Sequence, residues 1–219
     1  MKYLSSEEQK AYINTVWEVK GAERDYVIME TFLNTGLRVS ELAGLIVGDV
    51  RNKQRLWVRP EIAKRMRRVK PEGKPREKGR FVPIHVWQQD LFHKWIAMKL
   101  DRRESIEDSA PLFASKRGTA FTKRSLEYMV EKWVKKAGLV AGDGSALFTV
   151  HSLRHTFAIR FLERNGQTTK ALRSLQKILG HESLASTGVY LEATDKEMAE
   201  TMHMMSISHT RAERLREAI

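Results

Sequence analysis

Helix-forming stretches follow one another along almost the whole chain, and a single interruption, two strand-like runs around a dense basic segment, breaks the pattern. Ser5 and Ser6 stand three residues before Glu8 and Gln9, the spacing at which hydroxyl and carboxylate satisfy each other's orphan amides at a helix start. Tyr12, Ile13, Val16 and Trp17 then recur at helical spacing and predict an inward stripe. A second helix is predicted over 22–35, with Tyr26, Val27, Phe32 and Leu33 inward and Gly36 as its C-cap. A third begins at Ser40 as N-cap and carries Glu41, Leu42 and Leu45. Leu56-Trp57-Val58 and Phe81-Val82-Pro83-Ile84 predict short strands, and Pro71, Gly73 and Pro75 put the turn of a long hairpin between them. Helical patterns return over 86–100 and over 123–137, the latter entered through Thr122 and closed by Gly138. After a loop at Asp143-Gly144-Ser145 come helices over 151–164, 168–179 and 195–205, and a short helix-prone end over 211–219. With no internal repeat and no long linker, the pattern predicts one mainly α domain with a small antiparallel β-sheet.

Composition narrows the class. A hydrophobic fraction of 42% and an aromatic fraction of 8% exclude a disordered chain of 219 residues. No apolar run approaches the roughly 20 residues of a membrane span, and the polar start lacks the apolar stretch of a signal peptide. The absence of cysteine excludes a disulfide framework and a thiolate metal site, and it fits a reducing, cytoplasmic setting. Lys and Arg exceed Asp and Glu by 39 − 27 = 12, and the stretch from Arg51 to Arg80 holds 13 of the bases against three Glu. Charge of that density reads as the footprint of a polyanion binder or as a solvated basic loop. By itself it does not separate DNA from RNA or acidic lipid.

The chemistry concentrates in the last third, in His151-Ser152-Leu153-Arg154-His155, Leu179-Gly180-His181 and Tyr190. With Thr149 as cap, His151 and Arg154 share a face at a helix N-terminus, where free N–H groups suit a phosphate. Gly180 ends the preceding helix and sets His181 at a turn. Tyr190 is a phenol with an ordinary pKa near 10. It attacks phosphorus only with its proton removed and the phosphate charge neutralised, so it needs basic groups nearby. Taken singly, such a His or Tyr is more often structural. His151 and His155 also have the spacing of a zinc pair, but Ser152 stands where a zinc protease needs Glu, and no third ligand is evident. No metal and no cofactor is expected.

Together these blocks resemble the C-terminal signature of the tyrosine recombinases, the phage integrase family: His-x-x-Arg-His, then Leu-Gly-His, then Tyr nine residues on. Thr35-Gly36-Leu37-Arg38-Val39-Ser40-Glu41-Leu42 resembles that family's upstream signature. The resemblance implies the tyrosine recombinase catalytic-domain fold over 1–205. It also implies roles. Arg38 and Arg154 grip the scissile phosphate, His151 and His181 assist proton transfer, and Tyr190 forms a 3′-phosphotyrosine link without ATP or metal. Glu41 and His155 stand behind them, Glu41 orienting Arg38. A hairpin lysine serves as general acid; Lys64 matches the family position if the extra hairpin residues follow it, Lys74 if they precede it, and Lys70 and Lys78 remain open. The other hairpin bases, Arg59, Arg65, Arg67, Arg68, Lys70, Lys74, Arg76 and Lys78, with Lys123 and Arg124, are assigned to DNA backbone contacts.

Most relatives carry a separate N-terminal helical domain that completes a clamp around DNA. Here Tyr3-Leu4-Ser5 already resembles the start of the catalytic domain, so no such core-binding domain is expected. The chain is then a naturally short recombinase, similar in size to the fimbrial phase-switching group, or a fragment. The resemblance further implies a double-stranded DNA target, a tetramer on DNA, accessory DNA-bending proteins and no membrane. It places the protein in a bacterial, archaeal or phage-borne setting. Residues 206–219 are read as a tail exchanged between protomers or folded on their own domain. Two other readings use the same features: a type IB topoisomerase, and a DNA-binding regulator that keeps the fold without the activity.

Overall fold

The computed structural model of the protein describes residues 2–63 and 79–191. Its elements run α1 (Ser6–Trp17), α2 (Glu23–Thr35), α3 (Val39–Ala43), a 3₁₀ turn (Val47–Asp49), β1 (Arg55–Val58), β2 (Arg80–Pro83), α4 (Val86–Asp101), α5 (Lys123–Lys136), α6 (Val150–Asn165) and α7 (Thr169–Leu179). The chain is helical again over 185–191. The described residues divide into two compact units, one lying within 1–157 and 177–180 and the other within 158–176 and 181–219.

In the first unit the expected caps form. Ser5 Oγ accepts from the Glu8 N–H at 3.2 Å, and Glu8 returns a carboxylate to the Ser5 N–H at 2.8 Å. Both halves of the capping box thus open α1. The helix buries Tyr12 and Val16, with the Tyr12 hydroxyl on Met29 Sδ at 2.7 Å. Trp17 corrects the predicted stripe: as the last residue of α1 it is 67% exposed, with its ring 4.9 Å from that of Tyr26. One step around the helix from Val16, it falls off the buried face. α1 packs on α2 and α5, α2 on α4, and α3 on α5. Leu4, Ile28, Phe32, Leu37, Phe92 and Trp95 lie at the centre. Thr122 caps α5 through Ser125, and Gly138 at φ +73° follows its end.

β1 and β2 pair antiparallel with Arg55 opposite Pro83 and Val58 opposite Arg80. This register buries Leu56, Val58 and Val82 and leaves the cross-strand pair Trp57–Phe81, 4.5 Å apart, on the other face. Small bridges at Ala114–Ala120 and Val140–Ala146 tie the two loops flanking α5; they were not expected from sequence. The second unit takes the C-terminal part of α6 and most of α7. Its buried residues include Ala158, Ile159, Leu162, Ala171, Leu172 and Leu175. The expected hairpin turn, the helix over 195–205 and the tail from 206 lie outside the described residues. No helix among the described residues is long and apolar enough to cross a membrane.

Candidate active site

In the first unit the site begins at the turn between α2 and α3. Gly36 ends α2 in the left-handed region at φ +60°, with its N–H on Phe32 O at 3.1 Å. A Cβ there would also fall 2.3 Å from Phe157 Cδ1 and 2.9 Å from Leu179 Cδ2. Backbone angle and packing therefore both require glycine. Two residues on, the N-cap of α3 is Arg38 rather than the expected Ser40, which lies inside the helix. The reason is Glu41, whose Oε2 accepts the Arg38 N–H at 2.8 Å, so the carboxylate opens the helix instead of the serine hydroxyl.

Glu41 is fully buried and gathers two guanidinium groups. Arg38 Nη1 donates to Oε1 at 2.9 Å, and Arg80 Nη1 and Nη2 donate to Oε1 and Oε2 at 2.7 Å each. Burial pushes the Glu41 carboxyl up, but the bonds and charge of Arg80, followed by those of Arg38, outweigh it and hold the group below its ordinary value.

The last two carbonyls of α7, which no helical N–H reaches, and that of Gly180 just after it are taken by arginines. Arg80 Nε donates to Ile178 O at 2.6 Å, Arg154 Nη2 to Leu179 O at 2.8 Å, and Arg38 Nη2 to Gly180 O at 3.3 Å. Arg154 Nη1 also donates to Gly36 O. Arg154 is buried, and it joins the α2–α3 turn to the end of α7. On α6, the Thr149 N–H donates to Ser152 Oγ at 3.1 Å and fixes the helix start. His151 is exposed in that first turn, and His155, half-buried, follows one turn later. Burial first, then the neighbouring charges of His151 and Arg154, depress the His155 pKa to about 4.

The first unit ends this stretch at Gly180, just after α7, and the second unit, resuming at His181, carries the other two predicted groups. Gly180 is left-handed at φ +64°. Its N–H donates to Lys177 O at 3.2 Å and the His181 N–H to Gln176 O at 3.0 Å, the paired bonds of a Schellman turn. The His181 ring is held by a 3.0 Å bond between Nδ1 and Thr187 Oγ1, and Thr187 is fully buried. Tyr190, three residues further along the same helical segment, is buried, with its ring centroid 6.3 Å from that of His181 and the planes 12° apart.

Arg38, Glu41, His151, Arg154 and His155 therefore stand in the first unit, and His181 with Tyr190 in the second. Of the predicted DNA-contacting residues, Arg59 donates to both oxygens of Asp49 at 3.1 Å and to Gly44 O at 2.6 Å. Lys123 and Arg124 are exposed in the first turn of α5. Lys64, Arg65, Arg67, Arg68, Lys70, Lys74, Arg76 and Lys78 lie outside the described residues. Sequence reading missed Arg80 and Thr187. Arg80 counts there only as one more base of a charged run, and Thr187 carries no signal beyond lying three residues before Tyr190. Among the described residues, no group of three or more His, Cys, Asp or Glu is placed to hold a metal ion.

This mainly helical fold with a small two-stranded antiparallel sheet is the tyrosine recombinase catalytic-domain fold. It is similar to the crystal structure of XerA recombinase, with a TM-score of 0.69 and 29% identity over 93% of this chain and 65% of that one. A family model described as the phage integrase family matches residues 2–197, and the chain belongs to that family. It is 32% identical to tyrosine recombinase XerC of Actinobacillus pleuropneumoniae serotype 7 (strain AP76) over 87% of this chain and 53% of the relative. It is 30% identical to XerC of Caldanaerobacter subterraneus subsp. tengcongensis over 94% of this chain and 51% of the relative. The chain thus spans about half the length of these curated relatives. In fold it is also similar to XerH site-specific recombinase in a post-cleavage complex with palindromic difH substrate, at a TM-score of 0.67 and 21% identity over 92% of this chain and 52% of that one.

Proposed function

We propose that this chain is the catalytic part of a site-specific DNA recombinase that cuts and rejoins strands through a 3′-phosphotyrosine bond at Tyr190. Tyr190 Oη attacks the scissile phosphorus as its proton passes to a neighbouring base, and the P–O5′ bond breaks. The 5′-oxygen leaves with a proton from a hairpin lysine, Lys64 being preferred over Lys70, Lys74 and Lys78. Arg38 and Arg154 meet the charge that builds on the non-bridging oxygens, and His151 and His181 hydrogen-bond the five-coordinate transition state. The 5′-hydroxyl of a partner strand then attacks the phosphotyrosine, re-forms a P–O5′ bond and returns the proton to the phenol. One phosphoester replaces another, so the exchange needs no ATP.

The observation that carries this reading is the restraint on His181. Its backbone is fixed by the Schellman turn and its ring by Thr187, close to Tyr190, in a family whose signature has this order. A double-stranded DNA target, a tetramer on that DNA, accessory DNA-bending proteins and action on bacterial, archaeal or phage-borne DNA in the cytoplasm belong to the same proposal. The test is a nicked suicide substrate drawn from the flanks of the gene itself, offered to wild-type protein and to Tyr190→Phe. The wild type is expected to give a covalent band that resists SDS and yields to protease, and the variant none. A band that persists in Tyr190→Phe, or tight DNA binding with no band on any flank, contradicts the proposal.

A further inference from the structure

Arg80, the first residue of β2, reaches the site without belonging to either signature block. Its guanidinium is committed three ways, with Nη1 and Nη2 on the two Glu41 oxygens and Nε on Ile178 O. Its side chain is 13% exposed and that of Glu41 is fully buried. The same carboxylate accepts one Nη and the backbone N–H of Arg38. One buried anion therefore faces two cations, and the set carries a formal charge of +1. Without Arg80 the Glu41–Arg38 pair would be neutral. The carboxylate's second fork site would stand empty, drawing Arg38 inward as a bidentate partner. With Arg80 filling the fork, Arg38 gives Glu41 a single Nη, and the set of three keeps one positive charge in excess. Arg80 also holds the end of α7 two residues before Gly180, whose carbonyl Arg38 Nη2 meets.

We propose that Arg80 is a positioning residue for strand cleavage. By occupying the Glu41 carboxylate as a bidentate partner, it keeps the net positive charge of the Arg38 guanidinium available to a DNA phosphate. Arg80 itself does not touch the phosphate. This inference rests on the function proposed above and adds to it a residue that acts through charge on another.

The test compares single-turnover formation of the covalent adduct at saturating DNA with the dissociation constant for the same DNA. The proteins are wild type, Arg80→Met, Arg80→Lys, Glu41→Gln and the double variant Glu41→Gln/Arg80→Met. Arg80→Met is expected to slow adduct formation about 10²-fold while the dissociation constant stays near wild type. Arg80→Lys restores the charge but not the fork and recovers part of the rate. The double variant is decisive. With neutral Gln at position 41 the set returns to +1, so it is expected to cleave faster than Arg80→Met alone, a rescue that loss of a structural contact would not give. It also buries no carboxylate short of a partner, so it serves where Arg80→Met folds poorly. Wild-type rates in Arg80→Met, a loss confined to the dissociation constant, or a double variant no faster than Arg80→Met would overturn the proposal. A wild type that forms no adduct fails earlier, at the proposed function, and removes the reaction that Arg80 is inferred to serve.

Discussion

At the scale of single residues, burial and neighbouring charge together set the state of the titratable groups. His155 is the clearest case. Burial and the charges of His151 and Arg154 bring its pKa to about 4, against an ordinary 6.5, so it is neutral at pH 7. Because the folded value is depressed, the unfolded chain takes up the proton first as pH falls. Stability from this group is complete above pH ~6.5 and is lost progressively down to pH ~4. After discounting for partial exposure the loss is at most ~2 kcal/mol. Urea unfolding of wild type and His155→Gln at pH 7, 5.5 and 4.5 checks this. The stability gap between the two should shift toward the variant by up to that amount as pH falls, and a gap that stays constant would contradict it. The residue scale is also where sequence was least informative. Arg38, Arg154, His181 and Tyr190 stand out in the sequence because a motif spaces them, and their roles remain part of the proposal. Arg80 was not, because its meaning comes from Glu41, 39 positions away, and from a helix carbonyl 98 positions away. No local pattern encodes a partner at such separation.

At the scale of elements, the turns are the parts that sequence predicted well, since a cap is a local event. Gly36, Thr122, Gly138 and Gly180 stand where an end was expected, and each satisfies the backbone groups a helix leaves open. The start of α3 was misplaced because Ser40 is a good cap by type, whereas Glu41 reaches back to Arg38 and wins with a charged acceptor. Trp17 was misplaced because spacing alone does not say which side of a helix end meets a neighbour. The turn at Gly36 is the element-scale prediction. Gly36→Ala puts a Cβ 2.3 Å from Phe157 on a left-handed backbone, which should cost about 2–4 kcal/mol. It should also displace the carbonyl that Arg154 holds. Denaturant unfolding at fixed pH measures the first effect and the rate of covalent adduct formation the second. A variant of wild-type stability and rate would show that the turn relaxes freely.

At the scale of the whole molecule, the net charge is +12, and some of the basic residues stand at an exposed helix start. The first turn of α5 begins with Lys123 and Arg124 and has no acidic residue, an arrangement that opposes the helix dipole. Among the described residues, Lys123 gains only an exposed 3.5 Å pair with Glu127 in return. Such a start is reasonable for a surface that meets a polyanion. Replacing both residues with Gln should leave stability equal or a few tenths of a kcal/mol higher. Each replacement should flatten the dependence of log binding constant on log salt by about 1 if the side chain meets a phosphate. An unchanged slope would show that neither side chain meets a phosphate. The mainly α architecture and the two-stranded sheet were legible because periodicity and Pro/Gly punctuation report them. The division of the chain into two units was not, because it falls inside α6 and near the end of α7, within continuous helical patterns.

The most direct measurement is the identity of the residue that joins DNA. A nicked suicide substrate traps the adduct, and nuclease trimming followed by protease digestion and mass spectrometry locates the residual nucleotide. A single modified residue is expected, Tyr190, bonded to a 3′-phosphate, with the released strand ending in a 5′-hydroxyl. Attachment at any other residue, or to a 5′-phosphate, would contradict it.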